Sequence, residues 1–238
     1  MSRHATAGER TAIREVVVII PAKDEEDLLP RCLASVDASL RTLALSRPSV
    51  RVSVTVALDG CRDASAEVVS RWPGVRGISL EAGSAGAARA AGVTEALALA
   101  SAPVQDVWIA STDADSAVPN SWLVHQLDLA REGMDLVLGT VVPDPDDVDP
   151  QRHAAWLALH TLADGHGHVF GANLGVRADA YLAAGGFPGV PSGEDAALVE
   201  GARRLGLRVR ATDGARVLTS GRLSGRSPGG FADFLAAF

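Results

Sequence analysis

The chain alternates between two hydrophobic periods. Val16 to Ile20 is an unbroken β-branched run closed by Pro21, as expected of a short strand buried on both faces. Asp24 to Asp27 then opens a helix acid-first, as the N-terminal dipole favours, and Leu28, Leu29, Cys32, Leu33, Val36 and Leu40 give it an apolar stripe. A second strand, Val50 to Leu58, alternates in polarity and stops at Asp59-Gly60, after which Asp63 or Ser65 can cap a helix running toward Trp72-Pro73. A third strand, Arg76 to Leu80, leads through Gly83-Ser84-Ala85-Gly86 into an alanine-rich helix ending near Ala100. Val107 to Ala110 is a fourth strand, with Asp113-Ala114-Asp115 beyond its carboxyl end. A βαβαβαβ order predicts an α/β fold: a Rossmann-like, mostly parallel sheet flanked by helices, with ligands at the carboxyl ends of the strands.

After a helix near Pro119 to Arg131 and a strand over Leu136 to Val142 the periodicity loosens. Pro143 to Asp147 is an acidic, proline-broken loop that reads as a solvated excursion. A helix over Gln151 to Leu162, the Gly/His segment Gly165 to His168, a strand from Phe170 to Val176, a helix beginning near Glu194 and a strand over Leu207 to Ala211 complete the pattern. With no internal repeat or long linker, 238 residues predict one domain whose smaller, mixed portion is appended to the first half.

Composition narrows the chemistry. The chain has 21 arginines and a single lysine, Lys23, which stands in neither a Gly-Lys-Ser/Thr loop nor the context of a Schiff-base or haloacid-dehalogenase-type enzyme. The formal charge of −7, with arginines dispersed, makes neither nucleic acid nor an anionic membrane an expected partner. Cys32 and Cys61 lack disulfide or zinc spacing, the polar N-terminus has no signal-peptide character, and the longest apolar run is far short of a membrane span. A cytoplasmic location, with room for peripheral membrane contact and for a homodimer, is the expectation.

Four acidic positions fall at strand ends or helix starts: Glu25, Asp59, the pair Asp113/Asp115, and Glu194-Asp195. In a doubly wound sheet those ends share one edge, so they can meet in one crevice. Taken singly, Glu25 and Asp59 read as a helix-dipole carboxylate and a turn former. Two carboxylates one residue apart, however, repel unless a cation or donors lie between them.

The order of motifs resembles the family 2 glycosyltransferases, which have the GT-A fold. Pro21-Ala22-Lys23-Asp24-Glu25 matches the end of that family's first strand, Asp59-Gly60-Cys61-Arg62-Asp63 its second, and Gly83 to Gly92, with Arg89, its Gly-x-x-x-Ala-Arg segment. Thr112-Asp113-Ala114-Asp115 matches its metal motif, and Gly171 to Arg177, Gly185-Gly186-Phe187 and Gly193-Glu194-Asp195 its acceptor-side segments. The resemblance covers about residues 16 to 220. It implies a nucleotide-sugar-binding half over about 14–118, an acceptor-binding half over about 119–220 and a tail over 221–238.

It further implies inverting transfer of a sugar from a UDP- or GDP-sugar to an acceptor hydroxyl, with Mn2+ or Mg2+ as cofactor. By that resemblance Asp115 holds the metal, while Pro21, Ala22, Glu25, Asp59, Arg89 and Asp113 bind the nucleotide sugar. Gly171, Asn173 and Glu194 bind the acceptor, and Asp195 is the general base.

This sequence departs from the pattern at Leu58 and Cys61-Arg62, and it has no histidine after His168. Where a later metal-binding histidine would lie stand Ser220 and Arg222, and Arg222 and Arg226 read either as diphosphate ligands or as solvated residues of a Gly/Ser-rich tail. His160, His166 and His168 read as structural or acceptor-lining, and Trp156 as core or as a sugar-stacking face. A dinucleotide oxidoreductase is excluded by position, since its glycine fingerprint would follow the first strand. A catalytically silent nucleotide-sugar-binding protein is the alternative.

Overall fold

A computed structural model describes residues 10–223, 225 and 231–236. The four strands expected in the first half are β1 (Glu15–Ala22), β2 (Arg51–Asp59), β3 (Val75–Leu80) and β4 (Val107–Ser111). The second half adds β5 (Ser116–Ala117), β6 (Leu136–Pro143), β7 (Leu174–Arg177) and β8 (Val209–Thr219). All eight form one sheet in the order β3-β2-β1-β4-β7-β6-β8-β5. The first four run parallel; β7 is antiparallel to both neighbours, β6 and β8 pair in parallel, and β5 is antiparallel to β8. The carboxyl ends of β1, β2 and β4 therefore share one edge.

Because side chains alternate along a strand, β1 feeds two cores. Val16, Val18 and Ile20 pack with Leu29, Leu33 and Val36 of α1 (Leu29–Ser46) and with Trp122 and Leu123 of α4 (Trp122–Arg131). Val17 and Ile19 face the other way, onto Val93 of α3 (Ala85–Leu99), Tyr181 of α6 (Ala178–Ala183) and Leu198 of α7 (Glu194–Arg204). A third cluster joins Trp156 of α5 (Pro150–Leu159), Val142, Val148 and Leu235 of α8 (Phe231–Ala236).

Several local expectations are corrected. Helix α1 begins at Leu29 with no acid in its first turn. Asp24 adopts a left-handed φ of 51°, and the Glu25 and Glu26 N–H groups donate to Ser65 Oγ and Asp63 Oδ2, so the acidic run is a loop tied to the neighbouring loop. Ala64 precedes α2 (Ser65–Ser70), and neither Asp63 nor Ser65 is its N-cap. Residues Gly171–Asn173 form a 3-10 turn, which delays β7 to Leu174. β8 runs eight residues beyond the expected Ala211, to Thr219. The acidic loop after β6 is partly buried, since Asp144 is 5% exposed, pairs with Arg31 and donates its N–H to the Thr219 carbonyl.

Candidate active site

The strand ends open into a cavity of about 590 Å³. Its wall includes Pro21, Ala22, Lys23, Glu25, Asp59, Arg89, Asp113, Asp115, Gly171, Glu194, Asp195 and Arg222. Of the residues that the resemblance assigns to catalysis, metal, nucleotide sugar or acceptor, only Asn173 is absent from that wall. Its amide belongs to the core: Oδ1 accepts from Trp122 Nε1 at 3.0 Å, and Nδ2 donates to the carbonyls of Thr140 and Ala215, each at 2.8 Å. Asn173 thus pins β6, α4 and β8 together behind the cavity and does not reach an acceptor.

Asp59 ends β2 almost buried, and its Oδ1 accepts from the N–H groups of Ala82 and Gly83 at 2.6 and 3.0 Å. One carboxylate thereby fixes the loop that enters α3, whose first turn is capped by Ser84. Arg89, on α3, is 3% exposed and ion-pairs with both Asp113 and Glu194. It stands beneath the cavity as a brace between the metal-motif loop and the start of α7. Gly171 has no Cβ because the Arg89 guanidinium lies 2.6 Å from where one would be.

The Gly171 N–H donates to Asp195 Oδ2 at 2.8 Å and the Ala196 N–H to Oδ1 at 2.7 Å. Both oxygens of Asp195 are thus oriented while the residue stays partly open to the cavity. Its neighbour Glu194 is buried, and burial raises its pKa against the opposing pull of Arg89.

Asp115 lies between Asp113, Glu25 and Arg222. Burial and the adjacent Asp113 push its pKa up to about 6; Arg222 pulls against them and Glu25 adds to them. Arg222 grips Glu25 with both terminal nitrogens at 2.7 and 2.6 Å, and Nη2 also reaches Asp115 Oδ2 at 2.9 Å. Cys32 lies underneath, its thiol donating to the Asp113 carbonyl at 3.2 Å; burial raises its pKa, with Asp115 and Asp113 adding to the effect.

The donor types of this corner suit a divalent cation, although the Arg222 guanidinium engages the Asp115 and Glu25 oxygens. The wall carries Glu25, Asp59, Asp113, Asp115, Glu194 and Asp195 against Lys23, Arg89 and Arg222, and its donors are hard carboxylate oxygens of the kind Mg2+ and Mn2+ prefer. Among the described residues, the group whose ligand atoms gather within 4.8 Å of one another is Asp24, Cys61 and Asp63, beside this corner, and its donors are already engaged. Burial raises the Cys61 thiol pKa, the Ala22 carbonyl accepts from that thiol, and the two carboxylates accept loop N–H groups. These contacts give Cys61, the departure from the expected second motif, a part in closing one loop on the other.

Toward α5 the cavity turns apolar and aromatic. His160, Val169, Phe170 and Phe231 line it, and Trp156 stacks behind His160 with ring centroids 3.9 Å apart. His168 lies 4.9 Å from His160, and its pKa is lowered by burial and by the other two histidines. Phe170 and Phe231 line the wall although no motif marks them, beside Lys23 of the first motif and His160. Arg226 lies outside the described residues.

A single α/β sheet with acidic strand ends facing a cleft defines a GT-A-type protein. Residues 17–177 match glycosyl transferase family 2, well over half of the chain, and the chain belongs to that family. No curated protein matches it by sequence. Its fold is similar to S. aureus TarS 1–349 in complex with UDP-GlcNAc, at 16% identity and a TM-score of 0.62 over 90% of this chain and 60% of that one. GalNAc-T7 with UDP, GalNAc and Mn2+ is 14% identical, with a TM-score of 0.63 over 87% of this chain and 44% of that one. The mannosyltransferase PcManGT from Pyrobaculum calidifontis, with GDP-Man and Mn2+, is 19% identical, with a TM-score of 0.59 over 95% and 69%. The chain thus spans about 60% of the TarS 1–349 structure. Among the described residues no helix is long and apolar enough to cross a membrane.

Proposed function

We propose that the chain is a metal-dependent, inverting glycosyltransferase that takes a UDP- or GDP-sugar as donor. The observation that carries this reading is that Asp113, Asp115 and the doubly oriented Asp195 border one cavity. Similar folds that hold UDP-GlcNAc, or GDP-Man with Mn2+, support it.

Asp115 would hold the cation, with Asp113 and Glu25 beside it. When bound, the ion offsets the negative charge that develops on the departing nucleoside diphosphate. Pro21, Ala22 and the loop fixed by Asp59 would seat the nucleotide, while Arg89 holds Asp113 in place from below. Residues of about 14–118 would thus form the donor half and those of about 119–220 the acceptor half. Gly171 and the Phe170 ring would border the acceptor, whose attacking hydroxyl passes its proton to Asp195.

Calorimetry with UDP and GDP, with and without Mn2+, tests the donor reading: binding that strengthens with the metal is expected, and no binding of either nucleotide would overturn it. Asp195→Asn should reduce transfer by about 10²–10⁴-fold, the usual worth of a general base, while nucleotide affinity stays unchanged. Full turnover in that variant excludes Asp195 as the base. Donor hydrolysis without acceptor separates an enzyme from a silent binding protein.

A further inference from the structure

One cation in the cleft is placed differently from the others. Arg89 is built into the floor and its charge is spent on Asp113 and Glu194. Arg222 instead sits on the chain leaving β8, and its side chain is 25% exposed. The root of this strap is fixed. The Ser220 N–H donates to the Asp115 carbonyl at 3.1 Å, the Gly221 N–H to Asp147 Oδ2 at 3.3 Å, and the Arg222 N–H to Ser220 Oγ at 3.3 Å. The guanidinium head is held by charge, through its two bonds to Glu25 and its contact with Asp115 Oδ2.

A divalent ion on Asp115 needs the carboxylate oxygens that the guanidinium now engages, at a distance of about 2.0–2.6 Å. An ion on Asp115 and the Arg222 guanidinium would compete for the same Asp115 Oδ2, and their like charges repel at that separation. An arginine displaced from a carboxylate has a natural second partner in a diphosphate, which offers the same bidentate oxygen geometry. The short, anchored strap keeps the head within the cleft after it lets go.

We propose that Arg222 is a tethered cation that holds the Glu25–Asp115 corner in competition with the divalent ion, and that it transfers to the donor's diphosphate when ion and nucleotide arrive together. The inference rests on the reading of Asp115 as the metal-holding carboxylate. It makes the metal a weak ligand of the free protein and a strong one of the nucleotide-loaded protein, with Arg222 as the source of the coupling.

The test is Mn2+ binding in the absence of nucleotide, followed by the paramagnetic signal of the free ion, for the full chain and for Arg222→Gln and Arg222→Lys. The glutamine variant should bind Mn2+ about tenfold tighter than the parent, of the order measured for other close charge pairs, with the lysine variant between them. In Arg222→Gln the gain in UDP or GDP affinity on adding Mn2+ should shrink correspondingly. An Mn2+ affinity that is equal or weaker in the folded glutamine variant overturns the proposal; if that variant does not fold, an unchanged affinity in Arg222→Lys does so. If Mn2+ affinities follow the expected order but no variant binds a nucleoside diphosphate, the glycosyltransferase reading fails and the tethered cation stands. If nucleotides bind with Mn2+ but the affinities for Mn2+ alone are the same in all three, the reverse holds.

Discussion

At the scale of single residues, Asp115 sets the pH behaviour of the cleft. Its pKa rises from 3.8 to about 6 in the folded protein, chiefly because it is buried beside Asp113. A carboxyl whose folded pKa lies above its unfolded value stabilises the fold fully below the unfolded value, and that stability is lost as pH rises through the folded one. Asp115→Asn is therefore expected to stabilise the metal-free protein by about 1–3 kcal/mol at pH 7.5 and by progressively less toward pH 4. Urea melts at the two pH values check this, and destabilisation at pH 7.5 would show that the pairing with Arg222 outweighs the crowding. The same substitution should remove Mn2+ binding. Asp113 and Asp115 are legible in the sequence because repulsion between near-adjacent carboxylates is itself a signal. Asn173 is not, and Arg222 is so only in part. An asparagine in a Gly-Ala-Asn-Leu-Gly run reads alike whether it faces a ligand or the Trp122 indole, and an arginine in a Gly/Ser-rich tail reads either as a diphosphate ligand or as solvated until β8 is seen to continue to Thr219.

Among the elements, the contact between α3 and α7 sets the spacing of the reaction site. A Cβ on Gly86 would lie 2.6 Å from the Pro188 carbonyl and 2.7 Å from Glu194 Cβ, so the first turn of α3 abuts the start of α7 with no room to spare. Gly86→Ala must push Glu194, and with it Asp195, away from the metal motif. About a hundredfold loss of kcat is the scale expected of a 1 Å displacement, with a smaller loss of nucleotide affinity because the shift reaches Asp113 only through Arg89. Steady-state kinetics beside nucleotide titration check the split; equal losses in both would point to general disruption. The elements around this contact differ in how plainly the sequence declares them. β1, α3 and β4 follow from periodicity, because each buries a face within one βαβ unit. β5, α6 and the full length of β8 do not, since two- to six-residue elements and antiparallel insertions owe their existence to partners far away in the chain.

For the whole molecule, one sheet edge gathers six carboxylates that Lys23, Arg89 and Arg222 offset only in part, which favours a divalent cation and, with it, an anionic nucleotide. Mn2+ and UDP or GDP, each at 100-fold its Kd, should therefore raise the melting temperature; binding at that excess is worth about 2.7 kcal/mol, which is about 5–10 °C for a chain of this size. EDTA should abolish most of the shift, and differential scanning fluorimetry reads both. A shift indifferent to EDTA would exclude the metal from donor binding. The parallel sheet, its helical flanks and the acidic edge are legible from alternation and charge. The acceptor wall is not, because its aromatic lining from His160 to Phe231 is assembled from loops and short helices without a period.

The clasp between Glu25 and Arg222 joins positions 197 residues apart. During synthesis the acidic first strands leave the ribosome long before the arginine that neutralises them, so the nascent domain spends most of its elongation with Glu25 and Asp115 uncompensated by Arg222. Closing so long a loop comes late in folding. The part of the core that β1 and α1 build with β2, β4 and α4 can thus form before the cleft acquires Arg222, and cellular divalent ions can neutralise its carboxylates in the interval.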